Sequence, residues 1–491
     1  MQQPLTASLA KNKAALRTMF GETIDLYTKE IRLFGFPCCI CLFEGLSSIE
    51  RLWIMMLDIL SRPPESQPPA NPQALFDFVL YRTAIPLEAN TVEDLDGVRR
   101  QITAGACVIL VDGVSKALVI SSQSMQFRSV SEPSGEGNIR GSREGFIELL
   151  RVNISLVRRL VRSGNLTVET LTVGRRTLTE AALLYDRERV SGRLLDTVRG
   201  RLQRASLPFV FDSGYLAGFV QKSRFSFFQS VGYTERPDTA AAKLCEGKLI
   251  LLVNGSPFAM ILPYFFTENF QSMDDYAEKA YFATLIRLFR YASFLLAVLL
   301  PGVFVSVANF TPELLPPQLM YKVASAEQAT PLPLFMEALL VNFLLEIIRE
   351  AGLRLPRPIG HAVSLVAALI IGDAAVSAGL LGTPLVIVSA LTALCTFVVP
   401  NLYEPVIVLR ILFILAGGIL GPVGVAVLFF CMVLGMCEMN AFGIPYMAPA
   451  ATQAKAFLRD GLLRSGWQTL AKADFTVGDL QQKVPEQEGN P

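Results

Sequence analysis

The chain has 491 residues, of which 52% are hydrophobic and 18% are charged, and its formal net charge is +1. It is more apolar than a typical soluble enzyme of this length, and its near-zero charge excludes a bulk electrostatic attraction to nucleic acid. Charges are mixed over residues 1–285 but nearly vanish over long stretches after Tyr291. The composition predicts a soluble N-terminal part followed by a polytopic membrane part.

The N-terminal segment MQQPLTASLAKNKAALRTMF has no long apolar stretch after its basic residues. We therefore expect no signal peptide, and a soluble part that stays in the cytoplasm. Eight cysteines form no CxxC pair, and the single histidine is His361. These counts predict reduced thiols that act as small hydrophobic side chains, and no metal site.

Two parts of the soluble region resemble one another at a constant offset. CVILVDGVSKALVI at 107–120 resembles LILLVNGSPFAMIL at 249–262, and CLFEGL at 41–46 resembles LLYDRE at 183–188. Each copy predicts an apolar strand, a helix and a later hairpin that turns at Asp-Gly or Asn-Gly. We predict two similar α/β subdomains, over residues 1–130 and 165–268.

A linker and a basic helix separate the two copies, over residues 131–164. The first half is rich in Gly, Ser and Glu, and the second half has an apolar helical face. The charged residues on this segment predict a solvated face, a subunit contact or a surface for anionic lipid headgroups. The candidate subunit-contact residues are Arg140, Arg143, Glu144, Arg158 and Arg159.

The C-terminal half contains apolar stretches long enough to cross a bilayer. A connector covers 269–285, the membrane domain covers 286–440, and a cytoplasmic tail with a disordered end covers 441–491. The segment 311–330 is interpreted as a connection between two of the membrane helices. Gly and Pro divide the longer stretches. The predicted helices lie at about 286–310, 331–352, 359–380, 384–400, 406–420 and 422–437.

Two features of this topology stay open. The helix at 331–352 either spans the membrane or lies in its interface, and 406–437 forms either a hairpin or one kinked span. Basic residues flank the spans, with Arg410 between the fourth and the fifth. If 331–352 crosses and 406–437 is a hairpin, these residues predict six membrane segments with both termini cytoplasmic.

Polar residues inside the apolar half are costly and therefore informative. Asp373 is the one formal charge between Pro358 and Tyr403 and lies among small residues that permit close helix packing. It either lines a pore or is satisfied by a neighbouring helix. The pore-lining candidates are His361, Ser364, Ala368, Asp373 and Ser377.

The preceding helix carries three further polar candidates, Glu337, Asn342 and Glu346. The two glutamates are nine residues apart, which is about 2.5 helical turns, so they point in opposite directions. A ring of glutamates from several copies would select cations.

Sequence signatures of common enzymes are absent. The sequence contains no GxxxxGK[ST], GxSxG or HExxH motif, and one histidine offers little for general-base catalysis. We expect neither enzymatic activity nor a cofactor.

Four long strings resemble the A-subunit family of spore germinant receptors, and they occur in the family's order between residues 30 and 465. They are EPSGEGNIRGSREGFIELLRVNISLVRR, ERPDTAAAKLCEGKLILLVNGSPFAMILPYFF, LLPGVFVSVANFTPELLP and REAGLRLPRPIGHAVSLVAALIIGDAAVSAGLLGTP. Two positions depart from the family pattern. Ser142 stands where the family often has Pro, and NFTPELLPPQ lacks the usual His before Pro-Glu.

The resemblance implies a nutrient-gated cation channel in the inner membrane of a bacterial endospore. It implies a pentameric ring of A subunits, assembled with a B-subunit nutrient sensor and a C-subunit lipoprotein. The segment 358–380 is the pore-helix candidate that the resemblance implies. Alternatives are a paralogous spore-membrane channel, a secondary transporter and a non-conducting scaffold.

Overall fold

The computed structural model describes residues 3–48, 50, 54, 69–81, 89–123, 132–133, 135–138, 140–221, 226–354, 372–450, 457–472 and 476–480. The chain forms two compact units. The α/β unit consists of Met1–Lys222, Val231–Tyr264 and Ala473–Pro491, and the helical unit consists of Ser223–Ser230 and Phe265–Lys472.

The first half of the α/β unit is a five-stranded antiparallel sheet with helices on both faces. Its elements are α1 (Leu9–Phe20), β1 (Leu26–Leu33), β2 (Phe36–Phe43), α2 (Pro72–Tyr81), β3 (Ala89–Val92), α3 (Leu95–Thr103), β4 (Cys107–Val111) and β5 (Ala117–Ile120). The strand order is β1-β2-β4-β5-β3.

The second half of the α/β unit repeats this arrangement. Its elements are α4 (Leu150–Leu160), β6 (Leu166–Val173), β7 (Thr179–Asp186), α5 (Gly192–Gln203), α6 (Gly214–Val220), β8 (Gly232–Thr234), α7 (Pro237–Cys245), β9 (Leu249–Val253) and β10 (Ala259–Leu262). The order β6-β7-β9-β10-β8 matches that of the first sheet strand for strand. The predicted pair of similar α/β subdomains is confirmed.

The repeat extends to individual hydrogen bonds. The side chain of Asp112, in the turn after β4, accepts the backbone N–H of Leu9 at 2.9 Å. Asn254 accepts the N–H of Leu150 at 3.2 Å in the second copy. Both turn residues therefore satisfy an N–H group at the first position of a distant helix, α1 or α4, which has no partner within its own helix. The following residues adopt positive φ (90° at Gly113 and 91° at Gly255), which glycine accommodates without steric cost.

Apolar side chains along β2 point alternately to the two faces of the sheet, and helices cover both faces. Cys38, Ile40 and Leu42 pack on the α2 side, whereas Cys39, Cys41 and Phe43 pack against α1 and α3. This follows from the two-residue period of strand side chains. The cysteines here are buried free thiols, and burial raises the pKa of Cys107, on β4, to about 12. They act as small hydrophobic residues.

The helical unit contains long apolar helices. Its principal elements are α8 (Asp274–Ala277), α9 (Ala280–Phe310), α10 (Pro317–Ala329), α11 (Leu334–Arg354), α12 (Thr383–Val398), α13 (Tyr403–Glu438) and α14 (Trp467–Leu470). Residues 372–377 are also helical. Among the described residues, Ala280–Phe310 and Pro400–Glu438 are long and apolar enough to cross a membrane, and the α10–α11 pair is a third candidate if its 80° bend lies within one span.

Helix α13 reverses direction at its middle. Gly421 has φ 64° and ψ −150°, which is not helical, and Pro422 follows it. A Cβ on Gly424 would lie 2.6 Å from the carbonyl oxygen of Ala416. Eight residues of straight helix rise about 12 Å, so this contact requires the chain to fold back. The local geometry is that of a hairpin at the predicted position.

Two interpretations from the sequence differ from the structure. Residues 317–329 form α10, although this segment was expected to be a connection. Pro317 occupies a first-turn position, where the missing N–H of proline costs nothing. Arg410 was expected between two spans, but it lies within α13 and is 4% exposed. It is not a marker of a solvent-facing loop.

Candidate functional site

The predicted pore-lining residues are described in part. Asp373 and Ser377 are both exposed on helical segment 372–377, and they share one face because they are four residues apart. Ala374 and Ala378 are exposed beside them. This stretch presents a carboxylate, a hydroxyl and small side chains that nothing described in this chain covers. His361, Ser364 and Ala368 lie outside the described residues.

The three polar candidates on α11 contact different partners. One carboxylate oxygen of the buried Glu337 accepts the N–H of Gly382 at 3.1 Å. Glu346 accepts a hydrogen bond from Arg349 at 2.9 Å and another from the hydroxyl of Tyr403. The two glutamates thus point to different elements, as their spacing predicts.

Arg410 is a buried side chain that forms hydrogen bonds to three other helices, a role that the sequence did not predict. Its Nε donates to the carbonyl oxygen of Ala297 at 2.9 Å, and its Nη1 donates to Asn342 at 3.3 Å. Its other terminal nitrogen donates to the hydroxyl of Thr396. One side chain of α13 therefore bonds to α9, α11 and α12. Its position inside an apolar stretch was the available signal.

A second buried network lies at the start of α9. Arg287 is fully buried and pairs with Asp275 at 2.8 Å and with Asp460 at 2.9 Å. Arg290 also pairs with Asp275 at 2.9 Å. Tyr276 donates its hydroxyl to Asp460 at 2.9 Å. These bonds join the tail segment Phe457–Gly461 to α8 and α9.

The subunit-contact candidates separate into exposed and buried residues. Arg140 and Arg143 are exposed, and Arg143 lies 3.7 Å from Glu132. Arg159 pairs with Glu144, and both side chains are partly exposed.

Arg158 differs from this expectation. It is 1% exposed, and its guanidinium group binds both carboxylate oxygens of Asp25, at 2.9 and 2.8 Å. It also donates to the carbonyl of Leu166 at 2.7 Å and lies 4.3 Å from the centre of the Phe43 ring. Arg158 joins the two α/β halves within one chain, so it is not available to a neighbouring subunit.

A buried arginine also fixes the loop before α4. Arg236 donates to the carbonyl oxygens of Glu136, at 3.3 Å, and Ser142, at 2.9 Å. The Glu136 carboxylate accepts the hydroxyl of Thr234 at 2.6 Å and the N–H of Glu235 at 3.2 Å. Burial outweighs these hydrogen bonds and raises the pKa of Glu136. Ser142 makes this contact through its backbone carbonyl, which a residue of any type supplies.

The geometry defines a protein with a duplicated α/β unit and an apolar helical unit that contains buried charged residues. The family model described as Bacillus/Clostridium GerA spore germination protein matches residues 14–474. The chain belongs to this family of membrane proteins, whose members are subunits of spore germinant receptors.

Individual relatives cover most of the chain. It is 34% identical to spore germination protein KA of Bacillus subtilis (strain 168), over 94% of this chain and 85% of that protein. It is 33% identical to spore germination protein GerLA of Bacillus cereus, over 93% of this chain and 92% of that protein. It is 26% identical to stage V sporulation protein AF of Bacillus subtilis (strain 168), over 89% of this chain and 87% of that protein.

One solved structure is also similar. It is the N-terminal domain of the A subunit of the Bacillus megaterium spore germinant receptor GerK3, with 20% identity and a TM-score of 0.43. The match covers 54% of this chain and 98% of that domain.

Proposed function

We propose that this chain is an A subunit of a spore germinant receptor and forms an oligomeric, nutrient-gated cation channel. The exposed carboxylate of Asp373 in an apolar helical unit is the observation that carries this proposal. A charge at membrane depth normally faces water or a partner. Copies arranged about one axis would place this carboxylate and Ser377 on a shared water path.

The proposed assembly is a ring, with a pentamer as the working hypothesis, in the inner membrane of the spore. A B-subunit nutrient sensor and a C-subunit lipoprotein are the proposed partners. We propose six membrane segments with both termini cytoplasmic, and a ring contact through Arg140, Arg143, Glu144 and Arg159. Nutrient binding would open the ring only if it favours the open state by more than the closed state's advantage.

A paralogous channel that amplifies germination is the second candidate. The similarity to stage V sporulation protein AF supports it, at 26% identity. The higher identity to KA and GerLA, 34% and 33%, favours the receptor subunit.

Reconstitution tests the channel. The full chain, alone and with its partner subunits, is placed in liposomes, and fluxes of potassium and chloride are compared. We expect cation flux, and Asp373→Asn should lower the cation-to-anion permeability ratio. A carboxylate within about 4 Å of a hydrated ion contributes about 1 kcal/mol, which is about fivefold in that ratio. Glu438→Gln is the control, because Glu438 is also exposed at the end of an apolar helix.

Two results would contradict the proposal. One is the absence of flux in every assembly state. The other is a failure of Ser377→Cys to form cross-links between chains beyond those of the parent protein, since Ser377 shares the face of Asp373. A scaffold would retain assembly and germination signalling in Asp373→Leu, whereas a channel would change its leak or its response.

A further inference from the structure

Glu337 is an unusual carboxylate because it is enclosed by apolar residues. It is 1% exposed and lies in the first turn of α11. Its helix neighbours Leu334 and Ala338 pack in one hydrophobic cluster with Leu381 and Leu385, which flank the start of α12. Transfer of a carboxylate into such surroundings is costly unless both oxygens find partners.

One oxygen of Glu337 has a partner. Its Oε2 accepts the N–H of Gly382 at 3.1 Å, and Gly382 is the residue before the first turn of α12. Glu337 therefore lies beside two helix N-termini, that of its own helix and that of α12. Both place partial positive charge next to the carboxylate.

The second oxygen has no partner among the described residues. Oε1 of Glu337 is shielded from solvent and forms no hydrogen bond within the part of the chain that the structure describes. An unsatisfied buried oxygen of a carboxylate costs more than a neutral one. A ligand with positive charge would complete this site.

The end of α10 lies against the turn that precedes α12. A Cβ on Gly379 would lie 3.3 Å from the carbonyl oxygen of Ala329, the last residue of α10. A Cβ on Gly382 would lie 3.5 Å from Cβ of Ala326 and 3.6 Å from Oε2 of Glu337. The last carbonyls of a helix lack partners within the helix and carry partial negative charge. The turn 379–382 therefore contacts both the end of α10 and Glu337.

We propose that Glu337 and the carbonyl end of α10 form a binding site for a monovalent alkali cation. Broken helices coordinate such ions in this way in other membrane proteins, through carbonyls at a helix end. A divalent ion fits poorly, because the described residues contain no group of three or more His, Cys, Asp or Glu side chains that could hold a metal. One carboxylate balances one positive charge in an apolar site.

The site also has a consequence for gating, which rests on the proposed function. The turn 379–382 directly follows helical segment 372–377, which carries Asp373. A bound cation would tie this turn to α10 and α11. Ion occupancy would thereby favour one position of the proposed pore helix.

Thermal unfolding of the full chain in detergent tests the site without any requirement for conduction. Midpoints are compared in potassium chloride, sodium chloride and N-methyl-D-glucamine chloride at equal ionic strength and pH. We expect potassium or sodium to raise the midpoint by roughly 2–5 °C at saturation. Glu337→Gln should abolish the difference, because glutamine can accept the Gly382 N–H but carries no charge.

Matched variants complete the test. Glu350→Gln should keep the cation response, because Glu350 is exposed on the same helix and pairs with Arg354 at 2.7 Å. If Glu337→Gln does not fold, Glu337→Asp keeps the charge and should raise the cation concentration that gives half of the effect.

Three outcomes would overturn the site. They are equal midpoints in all three salts, an unchanged cation response in Glu337→Gln, and a midpoint that depends on pH but not on the cation. A cation-dependent midpoint in a chain without flux would reject the channel and retain the site.

Discussion

Arg158 in the α/β unit and Arg410 in the helical unit are both buried arginines, but they differ in their partners. Arg158 binds the Asp25 carboxylate through two nitrogens, at 2.9 and 2.8 Å. The hydrogen-bond partners of Arg410 among the described residues are a backbone carbonyl, an amide and a hydroxyl. A carboxylate thus neutralises Arg158, whereas Arg410 is solvated by the dipoles of neutral groups.

The difference determines what is lost when each arginine is removed. A broken ion pair leaves an uncompensated charge inside the protein, which is the costly outcome. Removal of a cation that is held by neutral groups leaves unfilled lone pairs on those groups but no uncompensated charge. The two positions should therefore respond unequally to equivalent substitutions.

The largest expected effect is that of Arg158→Met. It should lower the free energy of unfolding by about 3–5 kcal/mol, because Asp25 stays buried without its cation. Urea unfolding of the full chain measures this loss. Arg159→Met is the control and should cost less than about 1 kcal/mol, since its pair with Glu144 is partly exposed. Equal losses at positions 158 and 159 would reject the argument.

The two α/β halves offer an internal comparison at Asn12 and Asn153. Asn12 bonds to both backbone groups of Thr6, at 2.9 and 2.7 Å, and Asn153 does the same at Ile147, at 2.9 and 2.5 Å. Replacement of either by alanine removes these partners, from the buried residue Ile147 in one half and from the more exposed Thr6 in the other.

Asn12→Ala and Asn153→Ala should therefore each cost about 1–3 kcal/mol. Urea unfolding midpoints measure both, and Asn90→Ala, at an exposed position, should stay within about 0.5 kcal/mol of the parent. A loss in one half alone would show that the duplicated bond has a different role in the other.

Arg410→Met should cost about 1–2 kcal/mol, which is clearly less than Arg158→Met. The hydroxyl of Thr396 keeps its bond to the carbonyl of Thr392 at 2.9 Å. The amide nitrogen of the Asn342 side chain keeps its bond to the carbonyl of Ala338 at 2.8 Å. Thermal unfolding in detergent is the measurement. A loss as large as that at Arg158 would show that Arg410 compensates a nearby carboxylate.

The smallest expected effect concerns Glu136, whose pKa is raised by burial. A raised carboxyl pKa gives a stability contribution that is complete below the unfolded-state value, near 4.3, and is lost as pH rises through the folded-state value. Glu136→Gln should remove this pH dependence and change stability by less than about 1 kcal/mol. Unfolding midpoints of the parent and the variant between pH 4 and 7 test it, and a stability of the variant relative to the parent that falls as pH rises would contradict the sign.

Several local features were predictable because they depend on neighbours in sequence. The hairpins at Asp112-Gly113 and Asn254-Gly255 followed from dipeptides that tolerate positive φ. The apolar run CLFEGL at 41–46 indicated a strand, and the end of β2 lies there. The Gly421-Pro422 pair marked the reversal of α13. The opposed directions of Glu337 and Glu346 followed from helical spacing alone.

The roles of Arg158, Arg410 and Glu337 were not predictable, because each depends on a partner that is distant in sequence. Asp25 is 133 residues from Arg158, and the same basic helix was equally consistent with a subunit contact. Gly382 is 45 residues from Glu337. Helix α10 was missed because its polar composition resembles a connection more than a membrane helix.

The sequence by itself determined the class of each region, the two α/β repeats and the apolar helices, because hydrophobic period and turn chemistry are local properties. Only the tertiary structure decided which charges are paired, which are held by neutral groups and which carboxylate oxygen lacks a partner. Burial and electrostatic environment arise from residues that the fold brings together, so they depend on packing and not on the order of residues along the chain.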